Sequence, residues 1–164
     1  MKIVVTGATG FLGTRLLERL ASRDANVTEV LGVGRTLKPH STVEGNNVNY
    51  QLGDLEDPKF VNEVISGADV VVHAAALSSQ MAPPDTFKRA NVMVTQHVVN
   101  ACEEHGVKRL ILISSPSVYF QMKDQVAIRE SDPLPSPVNV YAKTKREAEL
   151  IVEASDVPHV IFRP

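Results

Sequence analysis

The chain is short of the residues that staple, anchor or strongly charge a small protein. Cys102 is the single cysteine among 164 residues, so an internal disulfide is impossible and a disulfide scaffold is excluded. A lone thiol suits a reducing compartment. No sign of charge dominates: 17 Lys and Arg stand against 19 Asp and Glu, a formal charge of −2. With no basic cluster, nucleic acid is not expected as the main partner. Long apolar runs are missing too. The longest stretch free of Asp, Glu, Lys and Arg is Val70–Pro84, and it contains His73 and two prolines, so no membrane span is expected. The N-terminus leads straight into the strand-like run Lys2–Thr6 without the layout of a signal peptide, and residence in the cytoplasm is the expectation. No internal repeat and no interdomain linker interrupts the chain.

What remains is an ordinary globular composition, 43% hydrophobic and 22% charged, in a length that suits one domain with a real core. Short apolar runs at Ile3–Val5, Val27–Val33, Asp69–Ala75, Arg109–Ser114 and His159–Phe162 read as strands buried on both faces, with a weaker strand at Val48–Leu52. Helical spacing lies between them. Phe11–Ala21 puts Leu12, Leu16, Leu17 and Leu20 on one face. Pro58–Ser66 does so with Phe60, Val61, Val64 and Ile65. Thr86–His105 reads as the longest helix, and Val140–Ala154 as the last. Thr36–Asn47 and the proline-rich Lys123–Asn139 read as loops. Strands alternating with helices predict an α/β fold with a parallel sheet.

The most informative segment is Thr6-Gly-Ala-Thr-Gly-Phe-Leu-Gly13, which follows the first strand and opens the first helix. Gly7 permits a sharp turn, Gly10 lets backbone N–H groups approach a pyrophosphate, and Gly13 allows close packing of helix on strand. The helix N-terminus adds unpaired donors and a favourable dipole for an anion.

These residues resemble the signature of the extended short-chain dehydrogenase/reductases, the NAD-dependent epimerase/dehydratase branch. The resemblance runs along the whole chain. Gly53-Asp54-Leu55 is similar to the family's adenine-contacting segment, and His73-Ala-Ala-Ala76 to the strand end that lies against the cofactor. Asn91 resembles the family's helix asparagine. Ser114-Ser115 and Tyr141-Ala-Lys-Thr-Lys145 resemble its catalytic residues, and Arg163-Pro164 the end of its sixth strand. The resemblance implies a doubly wound parallel sheet (Rossmann fold) in strand order 3-2-1-4-5-6. It also implies an NAD(P) site formed by Gly7, Thr9, Gly10, Phe11, Leu12, Gly13, Arg35, Asp54, Leu55, Ala74, Ala75, Ala76, Asn91, Tyr141, Lys145 and Pro164.

The second strand bears on the choice of cofactor. An NAD site wants a carboxylate near its end for the ribose 2′-OH. Here Val33-Gly34-Arg35 carries none, and Arg35 can pair bidentately with a 2′-phosphate, with Lys38 as a possible second charge. NADP is expected over NAD.

Tyr141 and Lys145 fall one helical turn apart on one face. A free phenol titrates near 10, and a nearby ammonium favours its phenolate. The expected division of labour is Tyr141 as proton donor and acceptor, Lys145 as its tuner, and Ser115 as the group holding the substrate oxygen. Asn91 is expected to tie the active-site wall together or to relay a proton.

Departures from the family pattern narrow the chemistry. Pro116-Ser117 stands where dehydratases of the family carry acidic residues, which disfavours elimination. Ser114–Phe120 is more similar to the 3β-hydroxysteroid dehydrogenase branch and related reductases. Hydride transfer between NADP(H) and an alcohol or carbonyl is therefore expected. A nucleotide-sugar epimerase using the same residues and a non-catalytic cofactor sensor are the alternatives. His97, Cys102 and His105 lack a fourth ligand, so no metal site is expected; a buried Cys102 and exposed histidines are. No Gly-x-Ser-x-Gly elbow is present. The resemblance further implies a homodimer through helices 86–105 and 140–154. It also implies that residues 1–164 form the cofactor domain, with a substrate-binding lobe absent from this chain.

Overall fold

The computed structural model describes residues 1–21, 26–37, 39, 42–79 and 81–164. Lys38 lies outside them. Six strands form one sheet: β1 (Lys2–Thr6), β2 (Glu29–Gly34), β3 (Val48–Leu52), β4 (Val70–His73), β5 (Arg109–Ile113) and β6 (His159–Phe162). Their order is β3-β2-β1-β4-β5-β6, and every neighbouring pair is parallel. The expected doubly wound sheet is the one observed. Apolar residues fill successive positions of β1, β2 and β4 because both faces of those strands are covered. The edge strand β6 instead alternates between half-buried and exposed.

Adjacent residues on a strand point to opposite faces, so the sheet divides the core in two. On one face Val4, Leu31, Val71, Leu110 and Leu112 pack with Val61 and Ile65 of α2 (Pro58–Ile65). Val94 and Val98 of α4 (Val94–Glu104) and Val152 of α5 (Val140–Glu153) complete that cluster. On the other, Ile3, Val5, Val30 and Val72 pack with Leu17 of α1 (Phe11–Leu20). Leu17, Leu110 and Leu112 are fully buried, and each such side chain stabilises the fold by about 2–3 kcal/mol. No helix among the described residues is long and apolar enough to cross a membrane.

Helix starts differ in a way that matters for the site. Asp57 caps α2 by accepting from the Lys59 N–H at 2.9 Å, and Asn139 caps α5 by accepting from Ala142 N–H at 2.8 Å. At α1 the cap position is Gly10, which offers no side-chain oxygen to the first turn.

Three local expectations change. Leu12 turns out of the core and is 43% exposed, because it sits in the first turn of α1, beyond the edge of the sheet face that Leu17 covers. The helix expected over 86–105 begins earlier, with a short α3 (Pro84–Phe87), and widens to a π-helical stretch at Lys88–Met93 before α4. Asn91 lies in that stretch and is buried, with its amide bonded to neighbouring elements. After β5, Pro116–Tyr119 forms a 3-10 turn that the apolar pattern did not signal.

Candidate active site

The turn between β1 and α1 is built for close approach. Gly7 has φ of +69°, and a Cβ there would sit 2.7 Å from the Ala75 backbone nitrogen. A Cβ on Gly13 would sit 2.2 Å from the Gly7 carbonyl oxygen. Gly10 N–H donates to Gly7 O at 3.0 Å, and Thr14 Oγ1 lies 2.9 Å from Gly10 O, which pins the turn to the helix. The first turn of α1 therefore has no side-chain cap for its N–H groups, while Phe11 (84% exposed) and Leu12 stand clear of the core.

That turn borders a cleft of about 450 Å³ at the carboxyl ends of the strands. Among the residues expected to hold a dinucleotide, Gly7, Thr9, Gly10 and Arg35 line one side. Asp54, Leu55 and Ala74–Ala76 line the rest, joined by Thr36, Leu77 and Ala90. Arg35 is exposed, and no ion pair among the described residues engages it. Gly34 lets β2 approach the turn, since a Cβ there would meet Thr9 Oγ1 at 2.8 Å. The cleft thus combines a glycine turn where any Cβ would intrude, the start of a helix with no side-chain cap, and an exposed guanidinium at the end of β2.

Phe11, Leu12, Gly13, Asn91, Ser115, Tyr141, Lys145 and Pro164 are outside the cleft lining. Ser115 follows shortly after the carboxyl end of β5, and Tyr141 and Lys145 stand one turn apart on α5. Lys145 is buried, and its Nζ donates to Ile113 O at 2.7 Å at the end of β5. Burial pushes its ammonium down to about 8, against the opposing pull of Glu149. Tyr141 is half-buried, with its ring edge-to-face against Phe87 at 6.4 Å between centroids. Ser115 caps the 3-10 turn by accepting from Ser117 N–H at 3.2 Å. A serine hydroxyl that accepts one bond still has its own proton to donate. Pro164 is exposed.

Asn91 connects the cleft to this helix. Its Oδ1 accepts from Leu77 N–H at 2.7 Å, and its Nδ2 donates to Leu77 O and to Thr144 Oγ1, each at 3.1 Å. Every strong bond of the amide is used inside the protein, so it acts as a clamp. Cys102 is buried, with its thiol pushed up to about 12 by burial and Glu103, and is inert. His97 and His105 are half-buried rather than exposed, because His97 Nδ1 bonds Leu55 O and His105 Nε2 bonds Asn62. No metal-holding group of His, Cys, Asp and Glu is found among the described residues.

Two buried polar groups carry weight that the motifs did not reveal. His73 is almost fully buried, with Nδ1 2.7 Å from Thr6 Oγ1 and Nε2 3.1 Å from Thr95 Oγ1. Thr95 donates its one proton to Asn91 O at 2.6 Å. His73 must then donate from Nε2 and accept at Nδ1 from Thr6, whose oxygen in turn accepts from Ala75 N–H at 3.3 Å. The imidazole is neutral, and burial first and Lys145 second push it down to about 3. Glu149 is fully buried on α5 and is held by Arg163 and Arg146. A histidine inside the apolar run Val70–Ala76, and a glutamate one turn past Lys145, were the available signals.

The family model described as the NAD-dependent epimerase/dehydratase family matches residues 3–164. The chain is 36% identical over 159 residues to a 2-alkyl-3-oxoalkanoate reductase of Stenotrophomonas maltophilia, covering 95% of this chain and 47% of that protein. It is 34% identical over 160 residues to 3beta-hydroxysteroid-dehydrogenase/decarboxylase isoform 1 of Arabidopsis thaliana, covering 91% and 36%. Among solved structures, a UDP-glucuronic acid 4-epimerase from Bacillus cereus in complex with NAD superposes with a TM-score of 0.84 at 29% identity, covering 99% of this chain and 56% of that one. The chain thus spans about half the length of these relatives, or less.

Proposed function

The chain belongs to the NAD-dependent epimerase/dehydratase family, and from that premise we propose that it is the cofactor half of an NADP(H)-dependent oxidoreductase acting on an alcohol or carbonyl carbon. The observation that carries the proposal is the start of α1. It is a glycine-built helix N-terminus without a side-chain cap, opening into a cleft that is also lined by Arg35, exposed and in no ion pair among the described residues. The uncapped N–H groups suit a pyrophosphate, and Arg35 suits a 2′-phosphate where an NAD site would place a carboxylate.

A bound nicotinamide supplies or accepts a hydride at the substrate carbon. The chain's own residues handle the oxygen. Tyr141 donates the proton that balances the hydride, and the Lys145 charge stabilises the phenolate left behind. Ser115 uses its free O–H to hold the substrate oxygen beside the phenol. Residues 1–164 serve as the cofactor domain in this scheme. Substrate selection falls to the part of the relatives' length that this chain does not span. The groove of about 320 Å³ between α4 and α5, lined by Val99, Leu150 and Ile151, fits the homodimer the family implies.

Titration with NADPH and NADH, followed by fluorescence, tests the cofactor assignment. NADPH is expected to bind at least about tenfold more tightly, and Arg35→Ala to remove most of that difference, since one charge-assisted bidentate contact is worth about 1.5–3 kcal/mol. Equal affinities, or an Arg35→Ala variant that loses nothing, would sink it. Sugar-nucleotide epimerisation is the second reading, favoured by the solved 4-epimerase among the structural relatives. Turnover that leaves reduced-cofactor absorbance unchanged would select it.

A further inference from the structure

The buried carboxylate of Glu149 plays no direct part in the proton and hydride chemistry above, yet it accepts three charge-assisted hydrogen bonds. Arg163, just past β6, grips it with two parallel bonds, Nε to Oε1 at 2.8 Å and NH2 to Oε2 at 2.9 Å. Arg146, three residues earlier on α5, adds a bond to Oε2 at 2.9 Å and also reaches Glu153. The third nitrogen of Arg163 donates to the Tyr119 hydroxyl, and its guanidinium lies 4.9 Å from the centre of the Tyr119 ring. Tyr119 ends the 3-10 turn that Ser115 caps. The serine, the lysine and the end of β6 are therefore joined through one buried ion pair.

We propose, building on the site assigned above, that Glu149 is a positioning residue for Lys145: from one turn further along α5 its carboxylate keeps the buried ammonium charged, and through Arg163 and Tyr119 it fixes the turn that presents Ser115. Tyr141, Lys145 and Glu149 follow one another at four-residue steps, so they share one helix face. The groups facing Lys145 are Tyr141 and Glu149 from its own helix, one turn to either side, and the neutral His73 from β4. Those facing Glu149 are Arg146 on its own helix, Arg163 after β6, and Ser114 at the end of β5. Burial would raise the Glu149 carboxyl, but the bonds from Arg163 and Arg146 outweigh it and hold the group below its ordinary value. Glu149 is thus ionised wherever Lys145 titrates.

The test reads the Lys145 ammonium directly, by following its NMR resonances against pH in lysine-labelled protein. In Glu149→Gln the two guanidiniums lose their counter-charge and the Lys145 midpoint is expected to fall by about one to two pH units. Simple loosening of the helix would do the opposite, admitting water and moving the midpoint up towards that of a free lysine. Glu149→Asp, which keeps the charge, is expected to restore most of the shift. If Glu149→Gln does not fold, Glu149→Gln/Arg163→Met removes the pair together, a change that folds tolerate better than a stranded charge. Its midpoint should also fall, because Glu149 is the charge that acts on Lys145. A midpoint that rises, or stays within about 0.3 of a unit, in a folded variant overturns the proposal. NADPH titration of the unmodified protein runs in parallel. Failure there sinks the cofactor assignment and leaves the Lys145 measurement standing by itself.

Discussion

Replacing Gly13 by alanine separates helix propensity from packing, because the two demand opposite signs. Alanine in a helix is favoured over glycine by about 1 kcal/mol, so propensity alone expects Gly13→Ala to stabilise the protein. The structure expects the reverse. The new Cβ would lie 2.2 Å from Gly7 O and 2.7 Å from Ala8 Cα, both backbone atoms that no rotamer change can move aside. Relief requires α1 to lift from β1 by on the order of 1 Å, the class of overpacking that costs about 1–3 kcal/mol and more where backbone must shift. With the cost at the upper end of that range, because only backbone can yield, and the propensity gain subtracted, a net destabilisation of about 2 kcal/mol follows. Gly67 provides the control: its φ is +70° and an added Cβ would meet nothing within 4 Å. Gly67→Ala should cost only the left-handed backbone penalty, about 1–2 kcal/mol. Urea unfolding of both variants at neutral pH, with m compared to confirm the same transition, measures the difference. The shift of α1 should also disorder the phosphate cradle and weaken NADPH binding by at least about tenfold, roughly 1.4 kcal/mol. A Gly13→Ala protein more stable than its parent, or less affected than Gly67→Ala, would refute the packing argument.

Two further outcomes are expected. His73 binds its proton far less readily folded than unfolded, so the unfolded chain takes up more protons as pH falls below about 6.5. Its contribution to stability is therefore complete above that pH and is lost towards pH 3, a loss of about 2 kcal/mol between pH 7 and pH 5. A His73→Gln variant should show a correspondingly flatter stability–pH curve in urea titrations at the two pH values, and an unchanged slope would contradict the neutral, doubly bonded imidazole. Asn91→Leu strands the Leu77 N–H and C=O and removes the bond that the Thr144 hydroxyl accepts, leaving the one it donates to Tyr141 O. A loss of about 3 kcal/mol is expected in thermal unfolding, whereas a change below about 0.5 kcal/mol would show that the clamp contributes little.

The glycine turn of Thr6–Gly13 was legible in the sequence, because a strand, three glycines and a helix form a local pattern that needs no distant partner. The Tyr141–Lys145 pair was legible for the same reason: helical spacing alone puts the two on one face. Leu12 was misplaced because periodicity marks a face but not where the sheet beneath it stops. The π-helical stretch left no local mark, since its widening accompanies bonds from Asn91 to Leu77 and Thr144, residues 14 and 53 positions away.

By itself, then, the order of residues determined the alternation of strands and helices, the glycine turn, and the types of group available for chemistry. These depend on backbone sterics and on apolar periodicity, which act over a few residues. Tertiary structure alone decided what those groups become. It left α1 uncapped beside Arg35, made His73 neutral between two threonines, and drew Lys145 onto the Ile113 carbonyl with Glu149 and Arg163 behind it. Those outcomes depend on burial and on the distance between charges far apart in the chain, and neither quantity exists until the sheet has assembled.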